Sequence, residues 1–154
     1  MTNQRICCFT GHRSIPPDEL SPLAHRLRET ICNLASDGIL TFRAGGAMGF
    51  DTLAAMSVLE LRDELGLRLE LILPCHDQTR GWPARDVRYY RYILEHCDSY
   101  RYIRDIYTRD CMLERNRHLV DGSEVCVAYC KHSHGGTAYT VAYAMRRGVR
   151  LIML

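Results

Sequence analysis

Short apolar runs at 5–10, 39–44, 67–73, 99–103, 124–129 and 150–154 alternate with segments whose apolar residues recur every three or four positions. A strand joined to the next strand by a helix cannot pair with it antiparallel through a tight turn; it crosses over and runs parallel. The pattern therefore predicts an α/β fold: a single Rossmann-like domain over residues 1–154, a parallel sheet of about six strands, and helices on both faces. In the first helix, opened by Ser21-Pro22 and closed by Asp37-Gly38, the stripe is Leu23, Leu27, Ile31 and Leu34. In the second it is Phe50, Leu53, Ala54, Val58, Leu61 and Leu65, with Gly66 at the end. Further helices are predicted over 86–97, from a cap at Asp110 to 120, and over 137–147. The order of the fourth and fifth strands is not set by the pattern. A site shared by the loops after strands one and five requires those two strands to be neighbours.

Composition narrows the class without naming a partner. The 154 residues are 47% hydrophobic and 25% charged with a net charge of +2, enough to bury a core without a covalent staple. Eight cysteines would suggest disulfides in a small secreted chain. Met1-Thr2-Asn3-Gln4-Arg5, however, leads straight into the first apolar run with no signal-type segment, so reduced thiols and a cytoplasmic location are expected. Cys126, Cys130, His132 and His134 form the densest metal-type cluster. Cys126 falls inside an apolar run and no second cluster has zinc spacing, so no metal is expected. Nor does any run approach the ~18 apolar residues of a membrane span.

Three loops follow strands directly and precede helices: Thr10-Gly11-His12-Arg13, Gly45 to Asp51 in RAGGAMGFD, and His134-Gly135-Gly136-Thr137. Glycine lets consecutive N–H groups turn toward one anion, and the following helix adds the positive end of its dipole. The GGAMG spacing is neither the dinucleotide fingerprint nor a Walker loop. Taken alone, it reads equally as close packing. Asp51 sits in a first helical turn, and Thr137 can cap a helix or bind phosphate. On the helix from 110, Met112, Leu119 and Val120 mark the buried stripe. Arg115 and Asn116 fall on the same face and so need polar partners. Gln78 and Trp82, in the polar loop CHDQTRGWP, are candidates for a lid, or for an anchor of that loop to the sheet.

The ordered set FTGHR, GGAMGFD, PCHDQTRGW, MLERNRHLVDGS and GGTAYTVAYA resembles the YpsA-like proteins of the SLOG superfamily, which includes DprA and the Lonely guy phosphoribohydrolases. The resemblance covers nearly the whole chain. It implies a Rossmannoid fold in which Gly45, Gly46, Gly49, Gly135, Gly136 and Thr137 line a nucleotide-phosphate pocket, and in which Arg115, with Glu114 before it, matches the MHERK motif of the hydrolases. The chain departs from those enzymes after its last glycine pair, where Thr140 to Ala144 supplies no carboxylate for N-glycosidic cleavage.

The leading expectation is thus a regulatory domain that binds or senses a nucleotide derivative such as ADP-ribose, NAD or a nucleoside phosphate, needing no other cofactor and more binder than enzyme. The expected ligand residues are Thr10, Gly11, His12, Arg13, Gly45, Gly46, Gly49, Asp51, Arg115, Asn116, Gly135, Gly136 and Thr137. The alternative is a hydrolase of nucleoside monophosphates or ADP-ribosyl compounds using Arg115, Asp51 and Glu114. A single-stranded DNA-binding role would need stacking aromatics among arginines, which Arg85, Arg88, Tyr89, Tyr90, Arg91 and Tyr92 offer. That helix reads more plainly as one buried tyrosine face with solvated arginines, so nucleic acid is the less favoured partner. A homodimer or a regulatory protein partner completes the alternatives.

Overall fold

The computed structural model describes residues 4–154; residues 1–3 of the span assigned to the domain lie outside the described residues. The apolar runs become β1 (Ile6–Gly11), β2 (Thr41–Ala44), β3 (Arg68–Leu73), β4 (Ser99–Tyr102), β5 (Val125–Tyr129) and β6 (Arg150–Met153). Between them lie α1 (Pro17–Ser36), α2 (Phe50–Leu65), α3 (Ala84–His96), α4 (Cys111–Val120) and α5 (Gly136–Arg146). The strands form one all-parallel sheet in the order β4-β3-β2-β1-β5-β6. This is the Rossmann-like α/β architecture that the alternation predicts. The chain steps outward from β1 to β4, then returns to lay β5 on the free side of β1. Such a reversal opens a crevice at the carboxyl ends of the strands. Gly11 pairs with Tyr129 in register, so the loops leaving β1 and β5 emerge side by side.

β1 and β5 are buried almost throughout, as strands covered on both faces must be. On one face the core joins Leu23, Leu27 and Ile31 of α1 to Phe50, Ala54 and Val58 of α2 and Ile93 of α3. On the other, Leu119, Val120 and Ala144 of α4 and α5 cover Cys8 and Cys126. Each fully buried Leu or Phe removes enough apolar surface from water to contribute about 1.5–3 kcal/mol. Phe9 stacks on Phe42 with ring centroids 5.8 Å apart, and Phe50 stacks on Tyr129 at 5.9 Å.

Most boundaries shift by one or two residues from the sequence reading, α3 for example starting at Ala84 where 86 is predicted, and two of the differences have a visible cause. Helix α1 starts at Pro17, a full turn before Ser21, and carries Pro22 inside. Pro17 fits the first turn, where its missing N–H would be unpaired anyway, and Glu19 accepts a hydrogen bond from the Tyr129 hydroxyl at 3.1 Å, pinning that turn to β5. Pro22 is exposed, where water can solvate the carbonyl it leaves unpaired. Strand β2 starts at Thr41, because the Ile39 N–H is used to close α1 on the Leu34 carbonyl.

Gly49 has φ +75°, and a side chain there would overlap the backbone carbonyl of Arg13. Gly66 has φ +69° with open space around it. Gly66→Ala is therefore expected to cost only the left-handed backbone penalty, about 1–2 kcal/mol. Gly49→Ala adds an overlap of about 1–3 kcal/mol. Urea denaturation of the two variants checks this ranking.

Candidate functional site

The crevice between the ends of β1 and β5 is a cleft of about 250 Å³. Thr10 and Gly11 form its base at the end of β1, with His12 and Arg13 on the loop that follows. Ala47 comes from the loop before α2 and Asp51 from its first turn, Met112, Arg115 and Asn116 from α4, and Gly136 and Thr137 from the start of α5. Two helix amino termini and two arginines thus converge on one space, an arrangement that favours an anion.

Arg115 lies on the buried stripe of α4 and is only 4% exposed. Its Nη1 donates to the Gly45 carbonyl, and its Nε donates to Asn116 Oδ1 at 2.8 Å. Nη2 has no hydrogen-bond partner among the described residues. Burial lowers the pKa of the guanidinium from its ordinary value and the charge of Asp51 opposes that shift, but an arginine does not discharge at neutral pH. Asp51 is also buried and accepts the Ala47 N–H at 3.1 Å. Burial raises its carboxyl above the ordinary value, against the pull of Arg115, the Ala47 N–H and Arg13. Asp51 and Arg115 share the cleft without forming a direct ion pair among the described residues.

The glycines of the second loop serve close approach. At Gly45 a Cβ would run into the Arg115 guanidinium, and at Gly46 it would overlap Leu73 Cδ2 at 2.5 Å and stand 3.1 Å from Gln78 Nε2. Gly49 lets the His12–Arg13 backbone cross the start of α2, where the Phe50 N–H donates to the His12 carbonyl at 3.0 Å. Gly45, Gly46 and Gly49 stand behind the cleft lining, which here is Ala47 and Asp51. Gly11 has a comparable role, with a Cβ overlapping the Phe50 ring.

On the other side, Gly135 caps α5 at φ +93°, and Gly136 and Thr137 face the cleft. The Thr137 hydroxyl has no protein partner among the described residues. His12 Nε2 accepts the Lys131 N–H at 2.8 Å, tying the β1 loop to the β5 loop. That bond requires unprotonated Nε2, and burial, with His132 and Lys131 nearby, lowers the pKa of the ring. Arg13 is exposed and forms no ion pair among the described residues.

Glu114 is not brought to the cleft. It turns to Arg104, whose Nη2 lies 3.0 Å from its carboxylate. Gln78 and Trp82 belong to an adjoining cleft of about 400 Å³ that shares Arg13 and Met112 with the first. Trp82 packs edge-on against Tyr90 with centroids 5.8 Å apart, which anchors its loop. Tyr107 and Asp77 also line that second cleft. Periodicity gave no hint of either, because both sit on irregular loops that meet only when β3 and β4 pair. Among the described residues no group of His, Cys, Asp or Glu is placed to hold a metal, and no helix is long and apolar enough to cross a membrane.

The sequence model of the YspA SLOG family matches residues 7–150. UPF0398 proteins of Bacillus thuringiensis (strain Al Hakam) and Bacillus cereus (strain Q1) are each 26% identical over 126 residues, 79% of this chain and 68% of theirs. Among solved structures, DNA processing protein A (DprA) of Streptococcus pneumoniae matches with a TM-score of 0.72 at 18% identity, over 97% of this chain and 50% of that one. DprA of Helicobacter pylori, described for its single-stranded DNA binding mode, matches at 0.70 and 19% identity over 98% of this chain and 65% of that one. A protein called TM1055 matches at 0.62 and 20% identity, over 96% and 72%. These structural likenesses establish the shared fold. The chain spans half to two-thirds of the DprA structures it resembles.

The raised carboxyl of Asp51 sets a pH-dependent cost. Folding favours its neutral form, a contribution fully present below the ordinary value of 3.8 and lost as pH rises through the raised one. Asp51→Asn keeps an acceptor for the Ala47 N–H and removes the charge. The variant is expected to be more stable than the parent at pH 7, with the difference vanishing toward pH 3, as read by urea denaturation across pH.

Proposed function

The chain belongs to the YspA SLOG family, and from that premise we propose that it binds or senses a small nucleotide-derived ligand of the ADP-ribose, NAD or nucleoside-phosphate type in the cytoplasm. The observation that carries this reading is the buried Arg115, whose Nη2 has no partner among the described residues, lining a cleft with Thr137 and the amino terminus of α5. A phosphate there would accept from the guanidinium, the helix N–H groups and the threonine hydroxyl together. Arg13, exposed and lining both clefts, would screen a second phosphate. The first cleft is small for a whole nucleotide, but the adjoining one extends it past Arg13 and Met112.

A second reading has one specific observation in its favour. Asp51 is a buried carboxyl raised by its surroundings and facing the same cleft, a disposition suited to a general acid. Against hydrolysis stand the engagement of Glu114 by Arg104 and the lack of a carboxylate on the exposed side of α5. Single-stranded DNA, bound by one of the structural relatives, would use a different face: Tyr89 and Tyr92 of α3 are exposed beside Arg85 and Arg88, with only Tyr90 of that tyrosine group turned into the core. That groove lies apart from Arg115, so mononucleotide binding is the reading the buried arginine supports.

AMP, ADP-ribose and NAD are to be offered separately, with thermal stability and released products measured in the same samples. At a hundredfold excess over Kd, a true ligand is expected to raise Tm by roughly 5–10 °C. No base or ribose phosphate is expected to appear. Arg13→Ala, at an exposed position, is expected to weaken binding roughly tenfold, in line with losing a charge-assisted contact. Products that vanish with Asp51→Asn would establish the hydrolytic reading instead; no stabilisation by any of the three would overturn the nucleotide reading.

A further inference from the structure

Gln78 is 6% exposed, and among the described residues neither its amide oxygen nor its amide nitrogen makes an aligned hydrogen bond, although the Tyr90 hydroxyl, equally without one, lies beside it. Buried amides are rarely left so, because each lost partner leaves desolvation uncompensated. Gly46 packs against it: a Cβ at that glycine would overlap Leu73 Cδ2 at 2.5 Å and stand 3.1 Å from Gln78 Nε2. Gln78 also lines the second cleft, where Trp82 and the 58% exposed Tyr107 supply aromatic surface. An aromatic-walled space floored by an amide that lacks both a donor and an acceptor partner has the chemistry of a nucleobase site.

We propose that this second cleft is the base subsite and that it selects adenine, with Trp82 and Tyr107 stacking on the ring and Gln78 reading its edge. The inference rests on the nucleotide reading above. A glutamine amide pairs bidentately with adenine, its oxygen accepting from the exocyclic amine and its nitrogen donating to a ring nitrogen. Base–aromatic stacking supplies affinity that is tolerant of base identity, so the amide supplies the choice. The base lies in the second cleft, the phosphate lies in the first, and Arg13 and Met112, common to both, flank the ribose. Both amide atoms are buried in the free protein, so reading the base requires the Gln78 side chain to turn toward the ligand. Asp77 keeps the wall in place, one carboxylate oxygen accepting the Tyr107 N–H at 3.2 Å.

Trp82 is the only tryptophan in the chain, so its fluorescence reports on this cleft alone. The protein is to be titrated with AMP, GMP, adenosine and ribose 5-phosphate, following fluorescence and calorimetric heat together. AMP is expected to quench Trp82 and to bind roughly tenfold or more tighter than either ribose 5-phosphate or GMP, the discrimination one bidentate pair provides. Ribose 5-phosphate is expected to bind with fluorescence unchanged. Gln78→Ala is expected to remove the advantage of AMP and leave ribose 5-phosphate binding as it was. Tyr107→Ala, at an exposed position that does not endanger folding, is expected to weaken AMP alone. Equal binding of AMP and ribose 5-phosphate with a silent Trp82 overturns the base subsite while the phosphate reading stands. Equal binding of AMP and GMP overturns the choice of adenine. If ribose 5-phosphate fails to bind, the phosphate reading falls, and adenosine decides the base site: quenching lost in Gln78→Ala supports it, and silence overturns it.

Discussion

A guanidinium that cannot lose its charge is buried where β1, β2 and α4 meet, and much of the surrounding architecture follows from accommodating Arg115. Burial of an unpaired cation is prohibitive, so the charge must find acceptors that stay in place. The Gly45 carbonyl and Asn116 Oδ1 meet two of its nitrogens. Asp51 offsets part of the charge from across the start of α2, itself held by the Ala47 N–H. What is left over is directed capacity to donate, facing a cleft where two helices begin. The binding proposal is the consequence of that remainder.

The same constraint gives the glycine-rich loop a packing role, because its missing side chains admit neighbours. Gly45 admits Arg115, Gly46 admits Leu73 and, less closely, the Gln78 amide, and Gly49 admits the backbone of the β1 loop. Through those three contacts one short loop sets the positions of the cleft's cation, the floor of its neighbour and the arginine shared between them. The glycine turn that reaches the cleft is the other one, where Gly135, at a positive φ, opens α5 and Gly136 lines the space.

Much of this was legible in the sequence, because hydrophobic period reports directly on which residues leave water. Leu23, Leu27, Ile31 and Leu34, placed on one stripe by spacing, are all buried in the core. Arg115 was legible for the same reason, as a polar residue at a buried phase of α4. The start of α1 carries its own signal, Pro17 at the first helical position with Asp18 and Glu19 in the first turn, and the second start signal at Ser21-Pro22, inside the helix, masks it. Whether the glycines cradle a ligand or admit a side chain was hidden too, since both uses demand the missing Cβ. Glu114 shows the limit of motif matching: adjacency to Arg115 in sequence puts it about 100° round the helix, on the side that meets Arg104.

The account stands on Arg115 and the start of α5 holding one phosphate between them. A crystal structure of the protein with AMP tests this most directly. The account predicts phosphate oxygens within hydrogen-bond distance of Arg115 Nη2, the backbone N–H groups of Gly136 and Thr137, and the Thr137 hydroxyl. A phosphate seated elsewhere, with Arg115 bound only to Gly45 and Asn116, would contradict it and leave the buried arginine a structural strut.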